Sequence, residues 1–73
     1  MEIFEQRLKQ LMKEHKVTKY KISQETGASK QTVSNWYNGK SEPTVKFLYK
    51  LAVYFDVTSD YLIGLENERG ERS

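Results

Sequence analysis

The 73 residues of the chain are enough for one small domain, close to the lower limit at which a hydrophobic core holds a fold by itself. The chain contains no cysteine, which excludes disulfide bridges and thiolate metal sites, and its longest apolar run, residues 51–55, is far too short to cross a membrane. The net charge of +2 says little by itself, but with an N-terminus that lacks the pattern of a signal peptide, the composition predicts a small cytoplasmic domain.

The hydrophobic pattern predicts five helices and no strand. The first helix, at about residues 3–14, has an apolar stripe on one face, formed by Phe4, Leu8, Leu11 and Met12. The next two helices cover residues 18–26 and 29–38. The fourth starts after Thr44, which is expected to be its N-cap, and runs to about Phe55, and the short fifth helix covers residues 59–63. Residues 65–73 are charged and have no apolar period. The sequence therefore predicts a compact all-α domain over residues 1–64, followed by a flexible charged tail at 65–73.

Residues 18–39 contain two of these helices, joined by a tight turn. Gly27 can take the left-handed backbone that a sharp reversal requires, and the small Ala28 suits packing between helices. Ser29 is a good N-cap for the second helix of the pair, because its hydroxyl can accept a hydrogen bond from a backbone N–H in the first turn. Gly39 ends this helix, again through a left-handed backbone. Such a pair is the arrangement with which many proteins place side chains in the major groove of DNA.

The second helix of this pair has one polar and one apolar face. At about 100° per residue, one arc of the helix holds only polar side chains, those of Lys30, Gln31, Ser34, Asn35 and Asn38. Val33 and Trp36 fall on the other side, where they can anchor the helix to a core. An ordinary surface helix is also polar outside, but it usually carries acid–base pairs, and residues 29–38 contain no acid. Glutamine and asparagine can bond an adenine edge through two hydrogen bonds, and lysine can reach guanine.

The fourth helix has more apolar side chains than one face requires. Its core stripe is expected to comprise Val45, Leu48, Leu51, Ala52 and Phe55. A second stripe, with Phe47, Leu51 and Tyr54, combines with Tyr61, Leu62 and Leu65 into a candidate hydrophobic patch. Two interpretations are open. Either the extra rings widen the core of a very small domain, or the patch is a two-fold dimer interface that includes Phe47, Tyr54, Tyr61 and Leu65.

These motifs resemble those of the lambda-repressor and Cro family of helix-turn-helix domains, also called the xenobiotic-response-element type. The matching segments are, in order, Val17-Thr18-Lys19, Gly27-Ala28-Ser29, residues 33–39 (Val-Ser-Asn-Trp-Tyr-Asn-Gly), Pro43-Thr44, residues 48–52 and residues 57–64. The resemblance extends over residues 4–64 and implies a five-helix DNA-binding domain whose recognition helix is residues 29–38. It also implies a homodimer on DNA, formed through the C-terminal helices, with two recognition helices about 34 Å apart.

Three positions depart from the family pattern. Lys19 replaces a common glutamine that contacts a phosphate, a role that lysine can fill as a point charge. Tyr37 replaces a common glutamate, which removes an acid beside the recognition helix and adds a hydroxyl. Ser23 replaces a buried alanine, and we expect its hydroxyl to bond the carbonyl four residues earlier.

The charges are distributed unevenly along the chain. Residues 15–50 contain seven lysines and two glutamates, whereas residues 51–73 contain two arginines and five acids. Lysines cluster by chance on many solvated faces, but here the positive region coincides with the paired helices. The acidic C-terminal third is expected to face away from DNA. This polarity favours a phosphate-binding surface on one side of the domain.

The resemblance and the helix faces together predict a role for each candidate residue. Base edges are expected to be read by Lys30, Gln31, Ser34 and Asn35, with the methyl group of Thr32 against a thymine. Phosphates are expected to bind Lys19, Asn38 and Lys40, assisted by the hydroxyls of Tyr20 and Tyr37. The predicted function is sequence-specific binding of double-stranded DNA by a transcriptional regulator, a repressor of the phage or prophage type.

Two other classes of function fit the sequence less well. For an enzyme, the chain lacks a nucleophile–base pair, a phosphate loop and a metal cluster. His15 lies near a helix end, and Asp56 and Asp60 flank a helix start, where the helix dipole and capping account for them. We therefore expect no catalytic activity, no cofactor and no metal. A protein-interaction module, such as the antitoxin of a toxin–antitoxin pair, is compatible with the extra apolar stripe of the fourth helix and remains the alternative.

Overall fold

The computed structural model describes residues 2–68 and contains five helices within them. They are α1 (Glu2–His15), α2 (Lys19–Thr26), α3 (Lys30–Tyr37), α4 (Val45–Phe55) and α5 (Ser59–Ile63). No strand occurs in residues 2–68, and the expected all-α architecture is confirmed. The last residues of the predicted tail, 69–73, lie outside the described residues.

Short-range interactions explain where most of the helices begin and end. The hydroxyls of Thr18, Ser29 and Thr58 each accept a hydrogen bond from the backbone N–H three residues further along the chain. Thr44 has the same extended backbone before α4, but its side chain makes no capping hydrogen bond. Gly27 ends α2 with a φ of 83°, in the left-handed region that a residue with a Cβ enters only at a cost.

All five helices contribute to one core. Its largest fully buried side chains include those of Trp36, Phe4, Leu8, Leu11, Ile22, Leu51, Leu62 and Val33. The apolar stripe predicted for α1 is buried as expected. The stripe predicted for α4 is wrong at Val45, which is 83 % exposed. Val45 is the first residue of α4, one turn before Leu48, which packs against the core. No neighbouring element within residues 2–68 extends far enough to cover Val45.

The C-terminal turn is fixed to α1 by Arg7. Its Nη1 donates hydrogen bonds to the carbonyl oxygens of Tyr61 and Glu66, the latter at 2.6 Å. The guanidinium also lies over the Tyr61 ring, 4.2 Å from the centroid. The backbone N–H of Leu65 donates to the carbonyl of Asp60 at 2.8 Å. Leu65 and Glu66, which we assigned to the tail, are therefore hydrogen-bonded to the end of the folded domain.

Candidate nucleic-acid interface

Side chains of α2 bond both backbone polar groups of Ala28, which lies in the turn between α2 and α3. The N–H of Ala28 donates to the Thr26 hydroxyl at 3.2 Å, and that hydroxyl donates to the carbonyl of Ile22 at 2.8 Å. The Ala28 carbonyl accepts a 2.6 Å hydrogen bond from Ser23 Oγ. Because Thr26 is only 1 % exposed, water cannot replace its bonds, and the turn is held in one arrangement.

The partner that we expected for Ser23 is wrong. Its hydroxyl bonds Ala28, five residues later, instead of the carbonyl four residues earlier within α2. A carbonyl inside a helix already accepts a backbone N–H, whereas the Ala28 carbonyl lies in the turn and needs a partner. The serine at this position therefore helps to fix α3 relative to α2.

The α3 helix directs its apolar side chains into the core and its polar side chains outwards. Val33 and Trp36 are 0 % and 1 % exposed, and the Trp36 ring packs against Phe47 with 5.6 Å between ring centroids. Of the residues predicted to face DNA, three are exposed (Lys30, Gln31 and Asn38) and three are half-buried (Thr32, Ser34 and Asn35). The amphipathic pattern expected for this helix is thus present, with no acid along its length.

Neighbouring polar side chains at the surface of α3 bond one another. Gln31 Nε2 donates to Asn35 Oδ1 at 3.0 Å, one turn along the helix. A primary amide has two donor hydrogens and two acceptor lone pairs, so one bond leaves each amide with capacity for a base edge. Thr32 is engaged differently, because its hydroxyl accepts a hydrogen bond from Ser29 Oγ at 2.9 Å. The Thr32 hydroxyl therefore belongs to the cap of α3.

Two tyrosine rings hold lysine ammonium groups beside α3. Lys30 Nζ lies 4.9 Å from the ring centroid of Tyr20, which is 54 % exposed. Lys19 Nζ lies 4.4 Å from the ring centroid of Tyr37, and Lys9 Nζ, from α1, lies 5.2 Å from the same centroid. Cation–π contacts of this kind position a charge without neutralising it. Lys9 was not among the predicted site residues, because no local pattern signals a contact between residues so distant in the chain.

The other predicted phosphate ligands lie at the start of α2 and after the end of α3. Lys19 Nζ is 3.5 Å from Ser34 Oγ and so reaches across from α2 to α3. Asn38 and Lys40 are exposed in the turn that follows α3. The backbone N–H of Lys40 donates to the carbonyl of Asn35 at 2.8 Å, which fixes this turn to the helix. The structure thus brings both groups of candidate phosphate ligands close to α3.

Two lysines of the basic central region make contacts elsewhere. Lys50 Nζ donates to the carbonyl of Thr26 at 3.3 Å, at the C-terminal end of α2, where a cation interacts favourably with the helix dipole. Lys21 forms an ion pair with Glu25 on the same helix, at 3.3 Å. The excess of lysines in residues 15–50 is therefore only partly available for phosphates.

The four residues expected at a dimer interface differ in their accessibility. Tyr61 is only 5 % exposed, and Arg7 covers its ring, so little of this side chain is accessible to a partner in the folded monomer. Phe47 and Tyr54 are half-buried against the core, whereas Leu65 is 73 % exposed. The large apolar side chains that α4 does expose are those of Val45, Tyr49 and Val53.

Groups of acidic, histidine or cysteine side chains that could hold a metal ion are absent from residues 2–68. The single histidine, His15, packs edge-on against the Phe55 ring, with 5.2 Å between ring centroids. No helix in the described part of the chain is long and apolar enough to cross a membrane. The polar face of α3 and the lysines around it are therefore the candidate functional site.

Comparison with known proteins gives three findings. A family model described as helix-turn-helix matches residues 8–62. The chain is 33 % identical over 63 residues to an uncharacterized HTH-type transcriptional regulator, YobD, of Bacillus subtilis (strain 168), and this match covers 86 % of the chain and 56 % of that protein. A crystal structure of a transcriptional regulator from Listeria innocua matches with a TM-score of 0.81 and 31 % identity, covering 89 % of this chain and 61 % of that one. The chain thus spans little more than half the length of these relatives.

Proposed function

The chain belongs to the helix-turn-helix family of the Cro/C1 type, and from that membership we propose that it is a sequence-specific repressor of transcription, of the phage or prophage type. Membership of this family supports a DNA-binding regulator and not an enzyme. In the proposed complex, α3 enters the major groove of double-stranded DNA and reads base edges. The protein acts in the cytoplasm by occupying its operator.

The observation that carries this proposal is the division of α3 into a buried and an exposed face. Trp36 and Val33 anchor one side of the helix in the core, and an acid-free row of amide, hydroxyl and ammonium groups lies on the other. The bonds from Thr26 and Ser23 to Ala28 fix the turn before α3, so the helix is oriented before it meets DNA. Little conformational freedom is then lost on binding.

The proposal divides the interface residues into two groups. Base edges are read by Lys30, Gln31, Ser34 and Asn35, with the Thr32 methyl group available to a thymine. Phosphates are bound by Lys19, Asn38 and Lys40, with the hydroxyls of Tyr20 and Tyr37 as further donors. The first group supplies sequence preference, and the second supplies affinity that depends on salt.

The proposed complex is a homodimer on DNA, with two recognition helices about 34 Å apart along one face of the duplex. The contact involves Leu65, which is 73 % exposed, together with Phe47 and Tyr54, which are only half-buried. A two-fold dimer of this kind binds an operator with two inverted half-sites.

The test begins with selection of bound sequences from random duplex DNA, and then compares variants on the selected operator and on random duplex. Gln31→Ala is expected to weaken operator binding by about 1–3 kcal/mol, or about 5- to 150-fold, and to relax preference at particular base pairs. Lys40→Ala is expected to weaken both duplexes alike and to lower the salt slope by about one. Selected sequences without inverted repeats would argue against the dimer.

The matched control is Gln10→Ala. This glutamine lies on α1 and donates to Glu14 at 3.0 Å, so its loss should change neither DNA affinity nor preference. If Gln31→Ala weakens operator and random duplex equally, Gln31 does not read a base and the assignment of α3 as the reading element fails.

One observation favours a second candidate function, a protein-interaction module such as an antitoxin. Val45, Tyr49 and Val53 recur at every fourth position of α4 and are all exposed, which gives an exposed apolar stripe along that helix. The two functions are separated by binding experiments. Strongly salt-dependent binding to duplex DNA supports the repressor, and a stoichiometric protein complex without DNA affinity supports the interaction module.

A further inference from the structure

Five residues from three helices and the turn after α3 lie close together where α3 ends: Glu5, Lys9, Lys19, Tyr37 and Gly39, here called the exit cluster. We propose that Lys9 is an additional phosphate-binding residue of the DNA interface and that Glu5 limits its contribution. This inference rests on the proposed function, because it assigns a new residue to the same DNA surface. It extends that surface from the paired helices to α1.

The position of the Lys9 ammonium group is fixed by two contacts. It lies 5.2 Å from the ring centroid of Tyr37, over the ring to which Lys19 Nζ is also bound at 4.4 Å. It is also 2.9 Å from Glu5 Oε2, one turn earlier on α1. One tyrosine side chain thus brings a cation of α1 next to a cation already assigned to phosphate binding. Both cations are held beside α3, so a DNA strand that reaches Lys19 passes close to Lys9.

Glu5 lies against the turn that carries the other phosphate candidates. A Cβ atom placed on Gly39 would overlap the Glu5 carboxylate, with the carboxyl carbon at 2.9 Å. The glycine therefore admits an acid to the turn between Asn38 and Lys40. A carboxylate in this place repels an approaching phosphate and neutralises Lys9 at the same time.

The ion pair between Lys9 and Glu5 can be exchanged for a phosphate at little cost. Both side chains reach solvent, with exposed fractions of 40 % and 26 %, and surface ion pairs of this kind contribute little to stability. The Tyr37 ring keeps the ammonium group near α3 after the carboxylate is lost, because a cation–π contact does not use its N–H donors fully. Lys9 therefore loses little when it turns from Glu5 to DNA.

The experiment measures duplex affinity as a function of salt for Lys9→Gln and Glu5→Gln. Each phosphate contact contributes about 0.9 to the slope of log affinity against log salt, so its loss lowers affinity about eightfold at 0.1 M salt if affinity at 1 M is unchanged. Lys9→Gln is expected to lower both the salt slope and the affinity, equally on operator and random duplex. Glu5→Gln is expected to raise affinity on both duplexes. The double variant lacks both charges. It should bind more tightly than Lys9→Gln only by the amount that direct repulsion between Glu5 and the phosphates contributes.

The chain contains a matched control pair on α2. Lys21 and Glu25 also form an exposed ion pair across one helical turn, at 3.3 Å, but Lys21 does not lie over a tyrosine ring in the described structure. Lys21→Gln and Glu25→Gln change the net charge by the same amounts and should alter the slope much less. Lys9→Arg keeps the charge and should retain the slope of the unmodified protein. Thermal unfolding of each variant verifies that the fold is intact.

The outcomes separate this inference from the proposed function. If the unmodified protein binds duplex with a steep salt dependence and Lys9→Gln behaves like Lys21→Gln, Lys9 has a structural role only and the inference is overturned. An unchanged affinity of Glu5→Gln overturns the part assigned to Glu5. Absence of salt-dependent duplex binding by the unmodified protein overturns the proposed function itself.

Discussion

Replacing the buried threonine of the turn tests how the orientation of α3 is fixed. In Thr26→Val the shape of the side chain is kept, but the hydroxyl that accepts the Ala28 N–H at 3.2 Å is lost. The hydroxyl also donates to the Ile22 carbonyl, but that carbonyl lies within α2 and still accepts its backbone hydrogen bond in the variant. The main loss is therefore one buried N–H without a partner, which costs about 1–3 kcal/mol.

The expected result is a lower melting temperature and a loosened turn. For a domain of this size, about 1 kcal/mol shifts the midpoint by roughly 4–8 °C, so Thr26→Val should melt at least about 4 °C lower by circular dichroism. Amide hydrogen exchange should show faster exchange at Ala28 in Thr26→Val. The control Thr26→Ser keeps the hydroxyl and loses a methyl group, so its Ala28 amide should remain protected.

The two variants together decide which part of the side chain matters. If Thr26→Val is as stable as the unmodified protein and Ala28 remains protected from exchange, the hydroxyl does not fix the turn. If Thr26→Ser exposes the Ala28 amide as much as Thr26→Val does, packing of the methyl group holds the turn instead, and the hydrogen-bond explanation is refuted.

Two further predictions concern the anchor of α3 and the turn after it. Trp36→Ala, which removes a 1 % exposed ring, should lower the free energy of unfolding by about 3–5 kcal/mol in a denaturant titration, and a loss below about 1 kcal/mol would contradict the packing. Gly39→Ala and Gly27→Ala both force a Cβ into the left-handed region, at about 1–2 kcal/mol each, but only the Cβ at Gly39 overlaps another group, the Glu5 carboxylate. Because this carboxylate ends a flexible side chain that reaches solvent, it can turn aside at little cost, so the two variants should have similar stabilities in the same titration. A clearly larger loss in Gly39→Ala would show that Glu5 is held firmly against the turn.

Features set by residues close together in the chain could be predicted from the sequence. The caps at Ser29 and Thr18 depend on a bond over three residues, and the left-handed Gly27 is a property of one residue and its neighbours. The burial of Trp36 opposite Gln31 follows from the turn angle of a helix alone. These local rules were enough to define the paired helices and the exposed face of α3.

Features that depend on how helices pack were not predictable in the same way. The contact of Lys9 with the Tyr37 ring joins α1 to α3, and the cover that Arg7 provides for Tyr61 joins α1 to α5. The burial of Tyr61, which we assigned to a dimer interface, was therefore not predicted from the sequence. The predicted burial of Val45 was wrong for a related reason. Helical periodicity gives the direction of a side chain, but not whether another element extends far enough to cover it.

The link between α1 and the C-terminal turn has a consequence for how this domain can be joined to others. Arg7 binds the carbonyl of Glu66, and the Ile3 side chain packs against Gly64, so the entry and exit points of the fold are neighbours. A fusion partner attached directly before Ile3 or directly after Glu66 would therefore leave the domain on the same side. A short bridge between these points, with a new break in the loop before α4, is therefore expected to give a circular permutant that still folds, which thermal unfolding would test.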